Sequence, residues 1–313
     1  MQTQPIGTGQ LTTTRLAFGN MRTVGTWEPK DVTPDRMAAG VAAHVAAYEA
    51  GYTLFDTADI YCRGVCETCL GETLKQVPGM RDAIVIATKC GIRFPEDPPG
   101  TPHRFDFSAE HILRSCEASL TRLGVETIDL YQLHRPDLLM NPPEIAEAFD
   151  KLHAAGKVRY FGVSNFSPSF VSALQQHLPQ PLLVNQVEIG LHRLACFYDG
   201  TLDQCIERTI TPLAWSPIGG GFLGDGGTVP DKHPRRETMQ KLVGLLDEIA
   251  PRYNATRTQL ALAWLLKHPG KIVPIVGSSK PANIKAAIAA DGIDVSREDW
   301  YRILVAARGE KLP

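Results

Sequence analysis

The chain has 313 residues, 43% of them apolar and 21% charged, enough for a globular core and too apolar for bulk disorder. A net charge of −2 at pH 7 offers no electrostatic footprint for nucleic acid or an anionic membrane. Seven cysteines, an odd number, argue against a disulfide framework and for a reducing compartment. Met1 to Gln10 lack the basic and apolar blocks of a secretory signal. No stretch approaches the ~18 uninterrupted apolar residues of a membrane span. A cytoplasmic enzyme, as a monomer or small homo-oligomer, is the expectation.

In chain order, strand-like and helix-like segments alternate. Arg15–Gly19 predicts a strand and Arg36–Ala50, Ala-rich, a helix. Thr53–Phe55 leads to Asp56, a helix follows near Cys66–Gln76, and Ala83–Thr88 leads to Lys89. Ser108 is the expected cap of a helix to Leu123, and Ile128–Leu133 leads to His134. A helix opens at Asn141-Pro-Pro143, where proline suits the first turn. Arg159–Val163 is a strand before a helix near Pro168–His177, and Leu182–Asn185 one before Leu202–Arg208. Pro212–Trp215 precedes a Gly- and Pro-rich loop from Ser216 to Arg235 and two helices, Glu237–Ala250 and Arg257–Lys267. The last strand is Ile272–Val276, followed by helices near Ala282–Ala290 and Ser296–Ala307. Eight apolar runs alternating with helices imply a parallel sheet, and at this length a (β/α)8 TIM barrel over residues 1–313 as one domain.

Asp56, Lys89 and His134 each end such a run, and Tyr61 lies five residues past Asp56, within reach of a loop folding back. In a β/α barrel these strand ends and their loops form the active face. A tyrosine, reference pKa about 10, donates a proton near neutrality if its phenolate is stabilised. A lysine beside it lowers that pKa, and a carboxylate keeps the lysine charged and placed. A histidine on the next strand can hydrogen-bond the reacting oxygen. Such a set protonates an oxygen accumulating negative charge, as a carbonyl does during hydride addition; the hydride requires a cofactor.

Gly51-Tyr-Thr-Leu-Phe-Asp-Thr-Ala-Asp-Ile-Tyr61 with Leu70-Gly-Glu72 resembles the first signature of the aldo-keto reductases. Thr88–Gly91, Leu133–Pro136, Gly162–Asn165, Asn185–Glu188 and Trp215–Pro217 match that family's later blocks in order, over nearly the whole chain. The resemblance implies NADPH, a small-molecule carbonyl substrate, and Tyr61 as general acid assisted by Asp56, Lys89 and His134. It implies that Ser164, Asn165 and Gln186 hold the nicotinamide amide, that Trp215 stacks on its ring, and that Gly19, Asn20 and Asp56 also border the cofactor. Ser216, Pro217, Ile218, Gly219, Gly220, Gly221 and Leu223 would contact the pyrophosphate, and Gly277, Ser278, Lys280 and Asn283 the adenosine phosphate. Cys62 departs from the glycine usual after the tyrosine, and Ala286-Ala287 from a Glu-Asn pair. The short segment after Ala307 lacks the long C-terminal loop that walls the pocket in some relatives, so the carbonyl compound stays open.

Three features point elsewhere. Gly219, Gly221 and Gly224 spell G-x-G-x-x-G after a strand, but Asp225-Gly-Gly227 continues a loop instead of opening the helix a doubly wound fold requires. Cys62, Cys66 and Cys69 have the C-x3-C-x2-C spacing of radical S-adenosylmethionine enzymes. Thr68 stands where those enzymes carry an aromatic, and Cys66 and Cys69, on the helix after Tyr61, behave as small apolar residues; no metal is expected. Cys90 adjoins Lys89, but strand alternation turns it to the opposite face. Some family members are non-enzymatic redox-sensing subunits or lens proteins; intact Asp56, Tyr61, Lys89 and His134 favour activity.

Overall fold

Buried strands alternating with amphipathic helices have one way to hide every strand edge, which is to close the sheet on itself. In the computed structural model, which describes residues 1–313, eight parallel strands do so. They are β1 (Ala17–Gly19), β2 (Leu54–Asp56), β3 (Val85–Cys90), β4 (Ile128–Leu133), β5 (Val158–Ser164), β6 (Leu182–Glu188), β7 (Thr211–Trp215) and β8 (Val273–Val276). Ring order follows chain order, and Val276 of β8 returns to pair with Phe18 of β1. The expected (β/α)8 barrel is the architecture found.

The outer layer comprises α1 (Pro34–Glu49), α2 (Val65–Gln76), α3 (Ala109–Leu123), α4 (Pro142–Ala154), α5 (Pro168–Gln175), α6 (Thr201–Arg208), α7 (Arg236–Ile249), α8 (Arg257–Leu266), α9 (Pro281–Ala287) and α10 (Arg297–Arg308). Ser108 caps α3 as expected, its hydroxyl accepting from His111 N–H, and Gly124 at φ 66° ends that helix. Thr256 and Gln259 start α8 with a reciprocal capping box. The helix predicted to Ala290 is α9 plus a tighter 3-10 turn, Ile288–Gly292. Trp264 of α8 and Trp300 of α10 stack 4.7 Å apart, each indole N–H donating to the other's backbone carbonyl. That double link seats the closing helix on the barrel. No helix is long and apolar enough to cross a membrane.

Two hairpins escaped the sequence pattern, Thr3–Pro5 with Thr12–Thr14 and Ile92–Arg93 with Arg104–Phe105. The first plugs the N-terminal end of the barrel. Its turn carries Ile6 and Leu11 into a cluster with Leu54, Val85, Leu130, Leu183, Leu213 and Val273, facing inward from the strands. Thr14 N–H donates to Thr53 Oγ1, just before β2, and Gly7 N–H to Thr211 Oγ1, the first residue of β7. The second hairpin lies between β3 and α3, beyond the opposite end.

Candidate active site

Where the apolar plug stops, inward-facing positions turn polar. Lys89 of β3 lies opposite Gln132 of β4, which lies opposite Gly162 of β5. Glycine is required there, since a Cβ would stand 2.4 Å from Val184 Cγ2. Lys89 is fully buried, a costly place for an ammonium unless it is paired and hydrogen-bonded. It is both: Nζ lies 2.8 Å from each Asp56 carboxylate oxygen, donates to Thr57 O at 2.7 Å, and reaches Tyr61 Oη at 3.3 Å. The Tyr61 ring meets His134 edge-on at 5.9 Å and Trp27 at 6.1 Å. The four residues singled out in sequence therefore converge.

Tyr61 begins a tight turn in which Cys62, Arg63 and Gly64 have φ of 46°, 49° and 90°. Three consecutive left-handed residues explain the usual glycine after the tyrosine; Cys62 and Arg63 adopt that conformation at a cost. Tyr61 is buried and packs with Val24, Ala58, Cys66 and Cys69, so it is anchored rather than loose in a loop.

Burial raises the Tyr61 pKa above its ordinary value, outweighing the lowering by the Lys89 charge. The expectation that lysine makes this phenol more acidic than usual is thus corrected: Lys89 offsets part of a desolvation cost. Burial presses Lys89 toward neutrality, but Asp56 and Tyr61 more than compensate, so its pKa is raised and it stays charged. Burial, then the charges of Lys89 and Arg135, push His134 well below the usual imidazole range. It is a neutral hydrogen-bonding group near pH 7.

The cofactor set is brought together, but largely fastened to itself. Ser164 Oγ donates to Gln186 O, and Asn165 Nδ2 to Ser164 Oγ and His134 O. Trp215 Nε1 donates to Asn165 Oδ1 at 3.0 Å, and Gln186 Nε2 to Asp56 Oδ1 at 2.7 Å. The last bond joins Gln186 to the proton-handling set and had no signal in local sequence. Gly19 pairs with Asp56 across β1 and β2. Asn20 N–H donates to Asp56 O, while both atoms of its side-chain amide are buried without partners.

Ser216 at φ 51° leads past Pro217 and Ile218 into a turn with Gly219, Gly220 and Gly221 at 60°, 69° and 111°, before buried Leu223. No helix opens after Gly221, so the doubly wound motif fails here structurally too. Gly277 borders open space, and Lys280 N–H donates to the half-buried Ser278 hydroxyl; Lys280 and Asn283 are exposed. The orphaned Asn20 amide, the half-buried Trp215 face and this glycine turn fit a dinucleotide laid across the barrel mouth. Cys62, Cys66 and Cys69 lie buried in one apolar cluster, and burial pushes the Cys66 and Cys69 thiols up to about 12. Such protonated thiols are poor metal ligands. Trp27, Gln132 and Arg135 also line this region and were not singled out; Arg135 stood unremarked inside the Leu133–Pro136 block.

Comparison with known proteins places the site in context. Residues 15–306 match the family model described as "Aldo/keto reductase family". The chain is 42% identical over 267 residues to the uncharacterized oxidoreductase YcsN of Bacillus subtilis, covering 84% of this chain and 86% of that one. It is 41% identical over 274 residues to a 6-dehydroglucose reductase of Novosphingobium aromaticivorans, covering 86% and 85%. The solved glycerol dehydrogenase of Gluconobacter oxydans superposes with a TM-score of 0.84 at 26% identity, covering 99% and 97%.

Proposed function

The chain belongs to the aldo/keto reductase family, and from that premise we propose that it reduces a small aldehyde or ketone with NADPH, Tyr61 acting as general acid. Family membership itself carries NAD(P)H-dependent carbonyl reduction. The residue roles rest above all on one observation: a fully buried Lys89 contacts Asp56 and the Tyr61 hydroxyl at once, beside neutral His134.

When bound, the nicotinamide supplies hydride to the carbonyl carbon. Tyr61 Oη hydrogen-bonds the carbonyl oxygen and passes its proton there as negative charge builds up. Lys89 donates to the same Oη and so stabilises the phenolate that remains. Asp56 holds Lys89, and Gln186 holds Asp56. His134, uncharged, hydrogen-bonds the substrate oxygen and leaves the proton to Tyr61. Asn165 braces Trp215 as the platform for the nicotinamide ring, and Ser164, Asn165 and Gln186 border its carboxamide.

Lys280, without a side-chain partner, and the adjacent Ser278-Ser279 hydroxyls suit a 2′-phosphate, which favours NADPH over NADH. Seven unpaired cysteines suit the cytoplasm. The experiment is NADPH consumption with 4-nitrobenzaldehyde and a panel of ketones and hydroxylated aldehydes, repeated with NADH. Turnover with NADPH, and a loss on Lys280→Ala larger for NADPH than for NADH, is expected. No turnover with either cofactor sinks the proposal; equal losses remove Lys280 from the phosphate site.

A further inference from the structure

Among the buried and half-buried cations at the barrel mouth, Arg135 stands out. Lys89 is matched by Asp56, and Arg193 by Glu188. Arg135, one residue past His134, is half-buried yet forms no ion pair and no hydrogen bond; its guanidinium lies 5.5 Å over the Trp215 ring. Asp137, two residues on, and Asp56 in the site are both committed elsewhere. Asp137 accepts from Phe107 N–H and Leu139 N–H, and Asp56 from Lys89 and Gln186. A cation partly withdrawn from water without a counter-charge is destabilising unless a ligand completes it.

We propose that Arg135 anchors the substrate, and that the substrate is a carbonyl compound carrying a carboxylate or comparable anion within a few bonds of its carbonyl. This rests on the reductase assignment above. The Arg135 guanidinium lies over Trp215 at the end of β7, so a substrate whose oxygen meets His134 and Tyr61 presents its next few atoms to Arg135. The planar guanidinium offers a forked pair of donors that matches a carboxylate, at a half-buried site where such a bond is little screened. The Lys89 and Arg135 charges both act on His134, so an approaching anion enters a positive field.

The test uses the NADPH-loaded enzyme with succinic semialdehyde, butanal and glyceraldehyde, which differ in charge and hydroxylation. Wild type is expected to favour succinic semialdehyde over butanal by about ten- to a hundredfold in kcat/KM, chiefly through KM, the scale of a charged hydrogen bond. Arg135→Leu should abolish that ratio and Arg135→Lys should keep part of it, with NADPH affinity held within about twofold in both. A ratio near one in wild type, a ratio surviving in Arg135→Leu, or glyceraldehyde outranking succinic semialdehyde overturns the anchor. So does an NADPH-binding loss that accounts for the whole effect, which assigns Arg135 to the cofactor. Turnover of 4-nitrobenzaldehyde but of none of the three overturns the anchor alone; no turnover of any carbonyl overturns the reductase assignment with it.

Discussion

The barrel's two ends are built from the same strands, a few residues apart, with opposite contents. At the N-terminal end Ile6 and Leu11 fill the bore against Leu54, Leu130, Leu183 and Val273, sealed by the hairpin's bonds to Thr53 and Thr211. At the C-terminal end the bore holds Lys89, Gln132, Gln186 and Asp56, and the side-chain polar atoms of Asn20 and Gln132 have no partner. The first end is complete within the chain. The second is left open in hydrogen bonds that ligands can make, which is where stability is spent on function.

The sharpest separation of the two ends comes from Tyr61→Phe. It keeps the packed ring and deletes the proton, so carbonyl reduction should fall by about 10²–10⁴-fold, the range of general acid catalysis. The thermal midpoint and NADPH affinity should stay near wild type, measured by calorimetry and fluorescence titration. Lys89→Met should strike both properties: activity is lost, and Asp56 is left buried without its cation, costing about 3–5 kcal/mol in denaturant titration. Asp56→Asn keeps the lysine in place and should retain more activity. Equal stability of Lys89→Met and wild type would mean the buried pair does not support the fold.

At the other end, Ile6→Ala should cost about 2–5 kcal/mol through the cavity it leaves, with kcat/KM unchanged. A comparable fall in kcat/KM would show that the two ends are coupled. The smallest effect concerns pH. Burial holds His44 down to about 3, and His134 well below its ordinary value for the same first reason. An unfolded histidine takes up a proton near pH 6.5, the folded ones do not, so stability falls as pH drops below that point. Each contributes about 1.4 kcal/mol per pH unit where only the unfolded form is protonated. His44→Gln should flatten the stability–pH curve between pH 6 and 4 by about one proton's slope; an unchanged curve would contradict its buried neutrality. Activity should show no acid limb from His134 at its ordinary pKa of about 6.5.

Much of this was legible in sequence because buried parallel strands write themselves as apolar runs. The ends of those runs located Asp56, Lys89 and His134, and the loop offset located Tyr61. The hairpins were not legible: Thr3–Pro5 and Thr12–Thr14 are short and polar, and their role depends on Leu183 and Thr211, some two hundred residues away. Nor was the Gln186–Asp56 bond, which spans 130 positions. Left-handed Cys62 and Arg63 carry no residue-type signal, since sequence marks that conformation through glycine. The phenol's raised pKa was misjudged because charge partners show in sequence and burial depth does not.

The most direct test of the C-terminal end as a carbonyl-reducing site is isotope transfer. Wild-type protein is incubated with NADPH deuterated at both C4 positions and 4-nitrobenzaldehyde, and the alcohol is weighed by mass spectrometry. One deuterium, on the carbon that was the carbonyl, is the predicted result. NADPH left unconsumed, or an alcohol without deuterium, would contradict it.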